Sequence, residues 1–425
     1  MIKSKKVFSI IYLVIITLLS FGIILAYVNQ LIPDKSDNDI IKVTNYVGSI
    51  DAKIKAKDQP ERKISLIRSI KNRVSNRITK EISKLDSNFN EILFKKQLTD
   101  LNGGIFKILN KKVIVGANPA QDIYKLKNGM LINIDDGEIV KEELEKYASN
   151  MQTFKKYCDN KSIDFLNIIA PCRNSKYENI FYAPVKDYAM EKADLYISQL
   201  AEKNVDYIDL RKGIHEAGIN QNDLFFRRDH HWTPEGGFLS GNIIIKDINE
   251  RYGYKMKILN EKDFTFNTYK NHFHGDFGNT GEFYTLPDDF TLITPDFKTD
   301  FNISIPFRHI SKTGSYRDTL IDMSEIEKGR DYVSYLYVDS PEVIIENNLN
   351  QEGKDILFIT DSFGRVVAPF MSLNSRKLYY LDIRYYENFN LYNYIDKTNP
   401  DLVVFLFNER HMQIPYMLRT EMVLQ

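Results

Sequence analysis

Cysteine is scarce in this sequence: only Cys158 and Cys172 occur among 425 residues. The first falls late in a predicted helix and the second just past the following strand, so the two should lie too far apart for a disulfide. Two thiols are also too few for a zinc site built on cysteines. A charge excess of either sign is missing as well, since 57 Lys and Arg balance 57 Asp and Glu. Nucleic-acid binders usually carry a basic excess, so no nucleic-acid partner is expected. A strongly polyanionic substrate is disfavoured for the same reason. Histidine occurs only seven times, and tryptophan once, at Trp232. No internal repeat or low-complexity tract is visible. Tyr and Phe, by contrast, are plentiful at 26 each. They supply packing surface, and flat faces that would suit a carbohydrate groove.

One long apolar run exists, at the amino terminus. Lys3, Lys5 and Lys6 precede an uncharged stretch from Val7 to about Val28. At helical rise this covers about 33 Å, enough to cross the hydrocarbon core of a bilayer. The lysines before it predict a cytoplasmic amino terminus. No small-x-small cleavage site follows Leu25-Ala26-Tyr27, which favours an uncleaved signal-anchor over a removed signal peptide. The expectation is a single-pass protein of the cell membrane whose bulk lies outside the cytoplasm. Residues 1–28 would form the cytoplasmic tip and transmembrane helix, and residues 29–111 a juxtamembrane stalk and helical region. Within the latter, Ile64, Ile67, Ile70, Val74 and Ile78 recur at helical spacing.

From residue 112 onward strands alternate with helices, which predicts a mostly parallel α/β sheet. Val113-Ile114-Val115 reads as a strand, Glu142–Tyr157 as a helix and Phe165–Ala170 as a buried strand ending at Pro171. A helix over Asp187–Lys203 and a short strand over Val205–Leu210 follow. Another helix should begin at Pro234, capped by Thr233. Residues 254–350 break the rhythm and read as an insertion or lid with a β-rich character. The alternation resumes with strand Ile356–Thr360, a helix from about Gly364, strand Leu378–Ile383, a helix near Leu391–Asp396 and strand Leu402–Phe407.

Two segments carry chemistry. One is Asp229-His230-His231-Trp232-Thr233-Pro234, with a carboxylate two residues before an imidazole. The other is Thr360-Asp361-Ser362-Phe363-Gly364, a serine at the end of an apolar strand. In open α/β sheets ligands sit at the carboxyl ends of strands. Ser362 is the candidate nucleophile, His231 its base, and Asp229 the group that orients the imidazole. A backbone N–H of Ser362 or Phe363, and the side-chain amide of Asn408 at the end of another strand, are candidate oxyanion donors. Each feature has a plainer explanation alone: a helix cap for the serine, a capping aspartate beside a satisfied histidine, a turn for the asparagine. Their common placement at element ends is what points to acyl transfer.

The Asp229-His230-His231-Trp232-Thr233 string, Gly236 and the later Thr360-Asp361-Ser362-Phe363 resemble the alginate O-acetyltransferase group and the related DHHW proteins. The resemblance runs from about Val113 to the carboxyl terminus and is weakest in residues 254–350. It implies an SGNH-hydrolase-like three-layer α/β fold in permuted order, with the Asp-x-His block before the serine block. It implies the Ser362, His231 and Asp229 triad, with His231 rather than His230 as the base. It further implies an acetyl group delivered by a membrane-bound O-acyltransferase partner and passed to a polysaccharide hydroxyl, with no cofactor. Arg384 stands where these acetyltransferases tend to place an active-site arginine, or is a solvated loop charge. Thr360 replaces the glycine of the usual Gly-Asp-Ser, and Asn408-Glu409-Arg410 only loosely echoes the block that donates an oxyanion asparagine.

Other functions stay open on sequence. An acetyl esterase would use the same triad with water as acceptor. A metal-dependent hydrolase could draw on Asp229, His230 and His231 together with His272 and His274. A non-enzymatic protein could keep the fold to bind polysaccharide. The Asp-His-His-Cys lipid transferases are excluded, because Trp232 occupies the position of their cysteine.

Overall fold

The computed structural model describes residues 95–411, apart from 115–121, 135–136, 138, 179–180, 183–186, 278–283, 338–339 and 387–388. The predicted transmembrane run and most of the juxtamembrane region lie outside the described residues. No helix among the described residues is long and apolar enough to cross a membrane. The first described element is a helix, Lys95–Ile108. A small three-stranded sheet follows, built from β1 (Val113–Ile114), β2 (Ile123–Lys125) and β3 (Leu131–Ile132).

The main sheet has eight strands. In chain order these are β4 (Asp164–Ala170), β5 (Tyr207–Asp209), β8 (Phe301–Ile305), β9 (Ile310–Gly314), β10 (Glu342–Asn347), β11 (Lys354–Thr360), β12 (Ser375–Leu381) and β13 (Leu402–Asn408). Their spatial order is β5-β4-β13-β11-β12-β10-β8-β9. The strands from β5 to β12 pair in parallel, and β12 onward pairs antiparallel. Between β5 and β8 in the chain lies a separate hairpin of β6 (Phe264–Phe273) and β7 (Asp288–Pro295).

Alternation along the central strands explains the three layers. In β13, Val403, Phe405 and Phe407 enter one core with Phe154, Tyr196 and Leu200 from helices Lys141–Asn160 and Ala189–Glu202. Leu402, Val404 and Leu406 enter the opposite core with Phe238, Ile244 and Phe370. Both faces are therefore covered, and such strands read as unbroken apolar runs. Residues 254–350 behave differently. They supply the hairpin and extend the sheet itself by β8, β9 and β10.

Helix Pro234–Tyr252 begins as the sequence predicts. The Thr233 side chain accepts from the Gly236 N–H, Pro234 occupies the first turn, and Gly253 ends the helix in a left-handed conformation. This helix lies hard against the turn that follows β11: a Cβ on Gly237 would come within 2.7 Å of the Val366 carbonyl oxygen. Only glycine permits that approach, which draws the Asp-His-His segment toward Ser362.

Candidate active site

Ser362 opens a 3₁₀ turn, Ser362–Val366, directly after β11. The preceding residue, Asp361, is fully buried and ties the turn down. Its carboxylate accepts the Phe363 N–H at 2.8 Å and the Asn408 N–H at 2.9 Å. Gly364 completes the turn. A Cβ there would sit 2.3 Å from Thr360 Oγ1, so the glycine absent from position 360 finds its counterpart in the space left at Gly364.

The Asp-His-His segment forms the tip of a tight hairpin. Phe225 and Trp232 form a bridge, and the Thr233 N–H donates to the Leu224 carbonyl at 2.7 Å. The tip is anchored from β7, where the Asp288 carboxylate accepts the N–H groups of Arg227 and Arg228, both at 2.8 Å. Trp232 is fully buried, and its indole N–H donates to the Phe363 carbonyl at 3.1 Å. The tryptophan of the motif thus ties the imidazole segment to the serine turn.

These anchors bring three side chains together. His231 Nε2 lies 2.8 Å from Ser362 Oγ, and His231 Nδ1 lies 2.6 Å from Asp229 Oδ1. The same Asp229 oxygen accepts the His231 backbone N–H at 2.9 Å, and its second oxygen accepts the Asp276 N–H at 2.8 Å. Burial opposes charge on Asp229, but attraction to the His231 ring and the hydrogen bonds from it outweigh burial, and the carboxyl is held well below its usual range. An ionised Asp229 can only accept, so Nδ1 carries the imidazole proton and Nε2 is left to accept from the serine hydroxyl. Burial first, and the neighbouring His230 second, push His231 down to about 4, against the pull of Asp229. The imidazole therefore stays neutral well below neutral pH. Ser362 is only half-buried.

Two of the expected oxyanion donors are engaged elsewhere. The Phe363 N–H is taken by Asp361, as above. The Asn408 amide donates to the Pro171 carbonyl at 2.7 Å and its side-chain oxygen accepts the Arg410 N–H at 3.1 Å. Both corrections have one cause: buried polar groups at the strand ends satisfy each other first. The Ser362 N–H is the expected donor that remains, because the first N–H groups of a helical turn have no partner within it. Arg384 is not a free loop charge. It clasps Asp382, with Nε at 2.8 Å from Oδ1 and Nη2 at 2.5 Å from Oδ2.

Sequence reasoning missed Tyr332. This buried side chain comes from residues 254–350. Its ring stacks on His231 with centroids 4.1 Å apart and planes at 21°, and its hydroxyl donates to the Ser362 carbonyl at 2.8 Å. Nothing around Asp331-Tyr332-Val333 in the sequence marks it apart from the other tyrosines.

Asp229, His230, His231 and Asp276 form the one group among the described residues that could hold a metal ion. His272 stands outside it, its Nδ1 lying 2.7 Å from Asp331 Oδ1. A cavity of about 860 Å³ opens at the opposite, amino-terminal ends of the strands, among Tyr254, Phe297, Asn347 and Lys354. Its described lining includes no serine, cysteine or histidine.

The model of a family described as the SGNH hydrolase-like domain of the acetyltransferase AlgX matches residues 136–302. Among solved structures, Bacillus cereus PatB1 with a sulfonyl adduct is similar, with a TM-score of 0.57 and 19% identity over 69% of this chain and 98% of that one. A DHHW family protein from Eubacterium siraeum gives a TM-score of 0.53 and 20% identity over 73% of this chain and 97% of that one. These likenesses establish the fold. No curated protein sequence matches the chain. The resemblance read from the sequence holds at the level of the fold, an SGNH-hydrolase-like α/β domain.

Proposed function

We propose that this chain is a membrane-anchored, extracytoplasmic O-acetyltransferase that moves an acetyl group through Ser362 onto a polysaccharide hydroxyl. The observation that carries the reading is the 2.8 Å and 2.6 Å relay from Ser362 through His231 to Asp229. His231 Nε2 takes the proton as Ser362 Oγ attacks the acetyl carbonyl, and the Ser362 N–H holds the oxyanion. Collapse of the tetrahedral intermediate expels the donor oxygen, which takes the proton from His231. The acetyl group now rests on Ser362. A sugar hydroxyl then gives its proton to His231 and attacks the acetyl carbon, and the protonated imidazole returns a proton to Ser362 Oγ as the acetyl group leaves. Asp229 stabilises the imidazolium in both halves.

The matched family description, an acetyltransferase, supports acetyl as the group transferred. Anchoring rests on the Lys3, Lys5 and Lys6 cluster before the apolar run ending near Val28. With the domain outside the cytoplasm, the acetyl group must arrive across the membrane, and a membrane-bound O-acyltransferase suits that task. An acetyl esterase would differ only in letting water, not sugar, accept the acetyl group.

The test is chemical. With an activated acetyl ester and an oligosaccharide acceptor, Ser362→Ala should lower transfer by roughly 10⁴-fold or more while leaving the fold intact. In the wild type an adduct of about 42 Da should form on Ser362. A sulfonyl fluoride should label the same residue. Full activity in Ser362→Ala, or an acetyl adduct on another residue, would refute the assignment. Products released only to water would favour the esterase.

A further inference from the structure

The proposed relay leaves one residue of the motif without a role, His230. Its side chain is 46% exposed, and its ring lies over that of His231 with centroids 3.7 Å apart. His230 Nδ1 is 2.8 Å from Asp276 Oδ2 and 3.9 Å from Asp229 Oδ1. On the same side lies His231 Nδ1, 2.6 Å from that Asp229 oxygen. One ligand atom from each of these four residues lies within 4.8 Å of the others. A tetrahedral ion with bonds of about 2.0–2.2 Å spaces its ligands about 3.4 Å apart, so shifts of about an ångström would close the set around it. The fourth ligand is held in place by its backbone: the Asp276 N–H donates to Asp229 at 2.8 Å, and the Phe277 N–H donates to the Arg228 carbonyl at 2.9 Å. The Asp276 side chain is 64% exposed, so an ion can enter from solvent.

We propose that Asp229, His230, His231 and Asp276 form an inhibitory site for a borderline divalent cation, of which zinc is the type. The proposal rests on His231 being the base for Ser362. Two imidazole nitrogens and two carboxylate oxygens suit zinc better than magnesium or calcium, which prefer oxygen ligands alone. Binding at His231 Nδ1 needs that nitrogen's lone pair, and the ring's single proton moves to Nε2. An Nε2–H can donate to Ser362 Oγ but cannot take its proton. Asp229 is drawn from the imidazole to the ion in the same step. The metal therefore removes both the base and its orienting partner, and His230 and Asp276 serve to capture it.

The full-length chain is titrated with zinc chloride while hydrolysis of p-nitrophenyl acetate is followed. Binding is read separately from the visible absorption of cobalt(II). Micromolar zinc should lower the rate by about tenfold or more, and EDTA should restore it. His230→Gln and Asp276→Asn should each raise the half-inhibiting concentration about tenfold or more, relative to their own metal-free rates. Ser362→Ala should bind cobalt as the wild type does. A wild-type rate insensitive to zinc, equal inhibition of wild type and both variants, or activation by zinc would each overturn the proposal. Should Ser362→Ala keep the wild-type rate, the relay itself fails. Cobalt binding to wild type against Asp276→Asn then still decides whether the cation site exists.

Discussion

The parallel and antiparallel halves of the main sheet divide the work differently. Strands β4, β11 and β13 are buried on both faces, and Ser362 follows the last residues of β11. Strands β8 and β10 bury alternate residues only, and the edge strand β9 is largely exposed. The parallel half delivers the serine at a strand end. The segment that builds the antiparallel half and the β6–β7 hairpin delivers none of the proposed reacting atoms, yet it grips them. Asp288 holds the backbone before Asp229, the Asp276 N–H holds the Asp229 carboxylate, and Tyr332 bears on both His231 and Ser362. Chemistry and its alignment thus come from different stretches of chain.

That division can be broken by substitution on either side. The largest effect is expected where charge supports the base: Asp229→Asn should lower kcat by about 10³–10⁴-fold, because an amide no longer fixes the imidazole tautomer. Steady-state rates on an acetyl ester check it. On the aligning side, Tyr332→Leu should lower kcat by roughly 10–100-fold with little change in KM, and Tyr332→Phe, which keeps the stacked ring, should lose less. Unaltered kcat in Tyr332→Leu would mean that Tyr332 contributes stability alone.

Asp288→Ala tests the anchor beneath the imidazole hairpin. It orphans two N–H groups bonded to a charged acceptor, and should cost about 2–3 kcal/mol in denaturant unfolding. The smallest effect is on pH. His231 is pushed down to about 4, by burial first and then by His230, so the neutral base survives below the ordinary imidazole value. In metal-free buffer the acid limb of kcat/KM should lie near pH 4 rather than near 6.5, with activity lost as pH falls through it. His230→Gln removes the second influence, the neighbouring imidazole, and should move the limb upward by less than about one unit. A limb at 6.5 in both proteins would remove His230 from the electrostatics of the base.

Legibility followed burial. Phe165–Ala170, Ile356–Thr360 and Leu402–Phe407 read as strands because both faces are apolar, and they correspond to β4, β11 and β13. The cap at Thr233 and the start at Pro234 were visible for local reasons, a side-chain acceptor and a fixed φ. The helix expected from Gly364 is instead a 3₁₀ turn followed by the short helix Ala368–Ser372. The partner of the Asn408 amide was not visible, since it is a carbonyl from a distant segment. For Asn408 that carbonyl belongs to Pro171, 237 positions away.

Sequence alone determined the kind of fold and pointed to the kind of chemistry proposed. Residue type and spacing are local properties, and Asp229, His231 and Ser362 declare themselves at element ends. Tertiary structure alone decided which hydrogen bonds those ends make, that Tyr332 stacks on His231, and that His230 and Asp276 converge beside Asp229. Such choices depend on which buried donors and acceptors meet once the chain closes, and no local pattern records that.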